Sequence, residues 1–211
     1  APDSENGFSE IMGMVAPIDQ NPREVAQKYI DEVRKKPRIT ERGDIDKAIE
    51  HDIDFDKSHL NDLVEKTYYV NCWMNRNNPH IKTDNPEECL SETELEELII
   101  EYEPYLERMY ALNKYQAFDY PKDIDVATLP YGQTLISLHQ LEMARIVQQI
   151  EKGDYETVIQ NWLQWAELNQ KMLSGHNNIV GQVINLVNYG MVNAYLSDIL
   201  NTIPAEIIQK Y

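Results

Sequence analysis

The stretch that decides the fold is QTLISLHQLEMARIVQQIEKGDYETVIQNWLQWAELNQKML, residues 133–173. Its first half repeats apolar residues at helical spacing and stops at Gly153, where a left-handed helix end favours glycine. Asp154 is a residue type that caps a following helix. The apolar spacing then resumes at Val158, Ile159, Trp162, Leu163, Ala166, Leu168 and Leu173. We therefore predict two helices joined by a tight turn.

The flanking segments have the same helical character. Ser91 and Glu94 form a capping box ahead of an apolar pattern that reaches Leu112, with Pro104 predicted to kink or divide the helix. After the break at 175–178, residues 179–199 are apolar nearly all round, which predicts a central helix. Towards the N-terminus we predict a helix from Asn21-Pro22 to Pro37, and short helices over 44–51 and 60–70.

Nothing in the chain reads as a strand, so the predicted fold class is all-α. We expect antiparallel helical hairpins stacked into a bundle or short solenoid, with a disulfide-stapled loop. The predicted organisation is an extended segment over 1–20 and a single helical domain over 21–211. That domain divides into an irregular, acidic part (21–90) and a helical-hairpin core (91–211).

Composition excludes several classes of function. The 211 residues are 42% hydrophobic, enough for a real core, and carry a formal net charge of −17. Such a charge repels phosphate backbones and anionic lipid, so we predict no nucleic-acid partner and no binding to acidic membranes. It favours basic partners or cations. No apolar run approaches the roughly 18 residues of a membrane-spanning helix.

The two cysteines, Cys72 and Cys89, stand at the edges of a polar stretch rich in Asn, Pro and Glu. A disulfide between them would staple this stretch, and two free thiols are the alternative. The disulfide interpretation implies an oxidising compartment, most simply the bacterial periplasm. The chain has no CxxC redox motif, which argues against disulfide-exchange catalysis.

An acidic segment resembles a calcium loop that starts at Asp54. Its ligand positions fall on Asp54, Asp56, Ser58, Asp62 and Glu65. His59 stands where the sharp turn needs glycine, which weakens the match. The alternatives are a solvated acidic segment that docks a basic partner, and a transition-metal site that uses His51 and His59. We predict no cofactor other than this calcium.

Tyrosine and tryptophan are abundant, with 13 and 3 residues against 3 phenylalanines. Because these side chains are large, stiff and hydrogen-bonding, they suit recognition surfaces. We predict an aromatic and acidic partner-binding groove across the middle hairpin. Its residues are Trp73, Tyr102, Tyr105, Tyr110 and Tyr115. Packing of helices with the polar tips in water is the alternative interpretation.

Catalytic residues cannot be nominated from the pattern. His139 lies on an apolar helix, where a hydrogen-bonded core histidine is the favoured interpretation. Ser174 and His176 are too close in sequence to indicate a nucleophile and its base. The carboxylates are too numerous to pick out an acid and a base, and the chain has no phosphate loop, zinc signature or hydrolase elbow. We predict that the chain is not an enzyme.

Parts of the sequence resemble two known groups of helical proteins. The segment from Ala144 to Trp162 resembles a tetratricopeptide-type hairpin, without a second copy at the repeat offset. Four short stretches together resemble a group of helical proteins of the gammaproteobacterial envelope: Asn6-Gly-Phe8 to Asn21-Pro22, Cys72-Trp73 to Cys89, Tyr105 to Leu112, and Gly175 to Gly181. That resemblance implies a periplasmic domain behind a hydrophobic N-terminal anchor, with the two cysteines paired.

These observations favour a non-enzymatic periplasmic adaptor or assembly factor that binds a protein partner in the envelope. From the second resemblance, a narrower form of this hypothesis is an accessory role in type VI secretion. The alternatives are an envelope hydrolase that uses scattered carboxylates, and a calcium-dependent binding module.

Overall fold

The computed structural model describes residues 5–35, 57–76, 89–120, 132–175, 179–194 and 200–211. The helices of this part are α1 (Phe8–Met12), α2 (Pro22–Lys35), α3 (Lys57–Arg76), α4 (Glu92–Ala111), α5 (Gly132–Glu151), α6 (Tyr155–Ser174), α7 (Ile179–Ala194) and α8 (Ala205–Ile208). Short 3-10 turns follow α1 and α4, at Gly13–Val15 and Leu112–Lys114. The prediction of an all-α fold built from antiparallel hairpins is confirmed.

The α5–α6 turn forms as its glycine predicts. Gly153 has φ +77°, and the backbone N–H groups of Gly153 and Asp154 donate to Ile150 O and Gln149 O, each at 3.0 Å. This pair of bonds is a Schellman ending, which satisfies the last carbonyls of α5. Asp154 occupies the N-cap position of α6, but its side chain makes no capping hydrogen bond. The predicted side-chain cap is therefore wrong.

Helix α4 begins as predicted but is not divided by its internal proline. The Ser91–Glu94 capping box is present in both directions, as predicted. Pro104 lies inside the continuous helix Glu92–Ala111, so the predicted division is wrong. Pro104 and Ile100 are both exposed. Because proline has no backbone N–H, the Ile100 carbonyl lacks the hydrogen bond that residue 104 would otherwise donate. Because that carbonyl lies on the solvent side, water can replace the missing bond.

Helix α5 occupies the centre, where it contacts α3, α4, α6 and α7. Twelve of its residues are buried, including Leu135, Leu138 and Leu141. Helix α7, which we predicted to be central, lies at the periphery with several apolar side chains exposed. On α6, Leu163 is exposed, while Trp165 and Met172, which the predicted face omitted, are fully buried.

The described part of the N-terminal segment, residues 5–20, is folded into the core, whereas we predicted an extended segment over 1–20. Phe8, Ile11 and Met12 on α1 are buried, as are Met14 and Val15 in the 3-10 turn. The Arg108 guanidinium on α4 donates to five backbone carbonyls of this segment: those of Met14, Ala16, Pro17, Ile18 and Gln20. Segment 14–20 is thereby tied to α4.

The predicted disulfide is confirmed between Cys72 and Cys89, whose Cα atoms are 5.1 Å apart. Cys72 lies within α3, which extends beyond the predicted 60–70 at both ends, and Cys89 lies three residues before Glu92, where α4 begins. Next to the bridge, Trp73 Nε1 donates to Glu92 Oε1 at 3.0 Å. The bridge therefore joins the end of α3 to the start of α4. The predicted helix over 44–51 lies outside the described residues.

Candidate functional site

The five aromatic residues predicted to bind a partner lie in or against the core. Trp73, Tyr102, Tyr105 and Tyr115 are buried, and Tyr110 is half-buried. Their rings fill space between helices, and two hydroxyls donate internally, Tyr110 to Glu142 and Tyr115 to Glu10. The five residues of the predicted aromatic and acidic groove are therefore placed as the alternative interpretation, helix packing, describes. Amphipathic rings suit a core as well as a surface when their polar tips find internal acceptors.

The structure describes three of the five residues of the predicted calcium loop. Asp54 and Asp56 lie outside the described residues. Ser58, Asp62 and Glu65 belong to helix α3, whereas the motif needs a loop at these positions. Asp62 pairs with Lys66 at 2.7 Å. Within the described residues, no group of three or more His, Cys, Asp or Glu is placed to hold a metal ion.

A buried charged cluster joins α4 to α5. Arg145 Nη2 lies 2.7 Å from Glu142 Oε2, and Arg145 Nη1 donates to both carboxylate oxygens of Glu103 at 2.8 and 2.9 Å. Burial raises the pKa of the Tyr110 hydroxyl well above its usual value, so the hydroxyl stays protonated and donates to Glu142. Because one guanidinium contacts a carboxylate on each helix, the cluster holds α4 and α5 together, and this pairing does not indicate an acid and base pair.

His139 is a hydrogen-bonded core histidine, as predicted. Its Nδ1–H donates to Leu135 O at 2.7 Å, because a carbonyl can only accept, and its Nε2 accepts from Asn169 Nδ2 at 3.1 Å. Burial lowers the pKa of His139 to about 4. The imidazole is therefore neutral at physiological pH and has both nitrogens engaged, which does not suit a general base.

Helix α7 turns an apolar stripe outward, which we call the α7 outer face. Val183, Leu186 and Val187 are 55%, 63% and 44% exposed, and Gly190 follows on the same stripe at the spacing i, i+3, i+4, i+7. The sequence of α7, IVGQVINLVNYGMVNA, contains no charged residue. Exposed apolar side chains that cluster at this spacing typically mark an interaction surface.

The inner side of α7 carries polar side chains whose hydrogen bonds fix the orientation of the helix. Asn185 Nδ2 donates to Met172 O at 2.8 Å, and Gln182 Nε2 donates to Gly175 O at 3.0 Å. Asn188 is fully buried on the same side. The apolar residues of α7 taken alone predict a central helix, and they do not indicate this exposed face. The signal was the pair Asn185 and Asn188, three residues apart and thus on one side of the helix.

Comparison with protein-family models, with curated proteins and with solved structures finds no match for this chain. Among the described helices, none is both long and apolar enough to cross a bilayer. The α7 outer face is the feature of the described residues from which we infer a function.

Proposed function

We propose that this chain is a non-enzymatic protein-binding adaptor or assembly factor of the bacterial envelope, acting in the periplasm. The observation that carries the proposal is the α7 outer face, an uncharged apolar stripe on a helix whose polar side is buried. The partner is a protein that presents an uncharged apolar helix of its own. An accessory role in type VI secretion is a narrower form of this proposal, which the sequence resemblance favours.

The disulfide supports the location. Cysteine pairs persist in oxidising compartments and are rare in the reducing cytosol, where thiols are kept free. Cys72–Cys89 closes a stretch with a sequence separation of 17 between two helices that pack in the core. A bridge placed at the junction of two core helices is structural, which favours an extracytoplasmic setting over a redox cycle.

The charge of the chain supports a protein partner. A net charge of −17 repels nucleic acids and anionic lipid surfaces. Helix α7 also lacks the Lys and Arg residues that membrane-surface helices carry on their polar face. An apolar face without charge therefore fits a protein surface that is itself apolar.

A cross-linking pull-down from native envelope extract tests the proposal with a matched pair of variants. Leu186→Asp places a charge on the α7 outer face, whereas Ile100→Asp places the same charge on an α4 side chain that is 73% exposed. We expect the wild type and Ile100→Asp to capture the same partner, and Leu186→Asp to lose most of it. Circular dichroism of both variants checks that they fold.

Two results would contradict this function. If Leu186→Asp captures the same partners as the wild type, the α7 outer face is not the docking surface. If no partner is captured by any form, with cross-linking efficiency verified, the adaptor hypothesis fails and the buried Glu142–Arg145–Glu103 cluster becomes the next region to assay.

A further inference from the structure

We infer that the protein seated on the α7 outer face is a second copy of this chain, packed antiparallel about a two-fold axis that passes between Leu186 and Val187. This inference rests on the proposed function, because it takes the α7 outer face as the docking surface. It goes further by naming the partner and the geometry.

The absence of charge on α7 suits a contact with a second copy of the chain. In a two-fold contact each residue meets the same surface of the other copy, so an acidic face would confront itself. The chain carries 36 acidic against 19 basic residues, and each other described helix of eight or more residues contains charged side chains. Helix α7 contains none over Ile179–Ala194. Of these helices it alone has no charged side chain that could face a like charge on the second copy.

Shape complementarity supports the antiparallel arrangement. When two helices run antiparallel about an axis between positions 186 and 187, Val183 lies opposite Gly190 of the second copy. Leu186 then lies opposite Val187. A Cβ built on Gly190 meets nothing within 4 Å, so this position leaves open space on the helix surface. A larger side chain thus faces the smallest one at each end of the contact, which favours close packing of the two helices.

The α7 outer face is also held in place. Asn193, one turn beyond Gly190 and exposed, donates from Nδ2 to Tyr189 O of its own helix at 2.7 Å. The Asn185 bond to Met172 O on the buried side fixes the rotation of α7. Because α7 does not need to rotate to present Leu186 and Val187, association requires little reorganisation of the helix.

The net charge makes a distinctive prediction about salt. Two copies that each carry −17 repel one another, and salt screens this repulsion over a distance that falls from about 30 Å at 0.01 M to about 8 Å at 0.15 M. Self-association through an uncharged face should therefore strengthen as salt rises. Binding of a basic partner to the acidic surface would weaken under the same change.

Sedimentation velocity on the full, disulfide-bonded chain tests the inference over about two decades of protein concentration, with NaCl varied from about 0.02 to about 0.5 M. We expect a monomer–dimer equilibrium that tightens with salt. Leu186→Asp should weaken it by at least about tenfold, and the matched control Ile100→Asp should leave it unchanged.

A mixing experiment tests the geometry. Leu186→Asp and Val187→Lys should each associate poorly alone. An equal mixture should associate at least about tenfold more tightly than either variant, because the antiparallel arrangement sets the introduced carboxylate of one copy against the introduced ammonium group of the other. Both positions are exposed, so folding is preserved.

The outcomes separate this inference from the proposed function. A chain that stays monomeric at all concentrations and salts overturns self-association. If Leu186→Asp nevertheless loses its pull-down partner, the adaptor proposal stands with a different protein. A dimer that Leu186→Asp leaves intact, or a mixture that gains nothing, overturns the α7 arrangement. Co-sedimentation of a monomeric wild type, but not Leu186→Asp, with phosphatidylcholine vesicles overturns it in favour of lipid.

Discussion

At the scale of residues, buried polar side chains determine how α6 and α7 sit on α5. Asn169 bridges two helices by donating from Nδ2 to His139 Nε2 and to Trp165 O. Asn185 links α7 to the end of α6 through Met172 O. Hydrogen bonds of this kind have strict geometry, so they select one rotation and one register of each helix where apolar contacts alone tolerate several.

His139 should make stability depend on pH. Burial holds its pKa at about 4 in the folded state, against 6.5 ordinarily. As pH falls from about 6.5 to about 4, the unfolded chain takes up a proton that the folded chain refuses, so the free energy of unfolding falls by roughly 3 kcal/mol. Above pH 6.5 the imidazole is neutral in both states and contributes no slope.

Urea denaturation of the wild type and His139→Gln at pH 7 and pH 4 measures this effect. Because glutamine does not titrate, the variant should lose less stability between the two pH values, by roughly 3 kcal/mol. An equal loss in both proteins would show that His139 is protonated as readily in the folded state as in the unfolded state.

Asn188 and Asn185 should respond in opposite directions to the same substitution. Within the described residues, both amide atoms of buried Asn188 lack a hydrogen-bond partner, whereas Asn185 donates to Met172 O. We expect Asn188→Leu to raise the free energy of unfolding by about 1 kcal/mol, and Asn185→Leu to lower it by about as much. Thermal and urea denaturation compare the two. Equal destabilisation would mean that the Asn188 amide is satisfied in solution.

At the scale of elements, Arg108 anchors the N-terminal segment to α4. Its guanidinium lies 2.6 Å from Ala16 O and 3.1 Å from Pro17 O, with three longer bonds around them. A planar fork with five N–H donors can reach five carbonyls at once, whereas an ammonium group has three donors on one nitrogen. The residue therefore holds a loop that would otherwise have to satisfy its carbonyls with water.

Arg108→Lys keeps the charge but removes the fork. We expect it to lower the free energy of unfolding by about 1–3 kcal/mol and to speed hydrogen exchange in residues 8–30, because hydrogen bonds from a charged donor are lost. Arg34→Lys on α2, whose side chain is 41% exposed, serves as the control and should change neither quantity. Unchanged exchange in Arg108→Lys would show that α1 and α2 are held by apolar packing alone.

At the scale of the whole molecule, the disulfide and the packing around it both hold the end of α3 beside the start of α4. Cys72 is buried beside Trp73 in α3, and Ser91 caps α4 two residues after Cys89. A covalent link of this span restricts the unfolded chain much more than the folded one, where both ends are already fixed by packing.

Removing the bridge should therefore destabilise the chain without changing its fold. We expect Cys72→Ser/Cys89→Ser to lower the free energy of unfolding by roughly 3 kcal/mol, from the loop-closure entropy of a separation of 17. Urea denaturation with circular dichroism measures the loss, and the wild type in reductant should match the variant. A double variant as stable as the oxidised wild type would contradict a stabilising role for the bridge.

The sequence by itself determined the local structure of the chain. Helical spacing, the Ser91–Glu94 capping box and the Gly153 turn predicted α4, α5 and α6, because such signals act between residues within a few positions of one another. The polar surroundings of Cys72 and Cys89 likewise predicted their bridge. The prediction that Pro104 divides α4 was wrong, because a proline disturbs a helix less when the carbonyl that loses its hydrogen bond faces water.

Only the tertiary structure decided which surfaces are buried. Tyr110 lies against Glu142, and Arg108 lies against Ala16, through contacts between residues 32 and 92 positions apart, which no local pattern reports. Helix α5 takes the centre and α7 the surface, although α7 is the more apolar of the two. Burial depends on which elements pack against each other, and polar groups such as Asn185 are buried where a distant partner satisfies them.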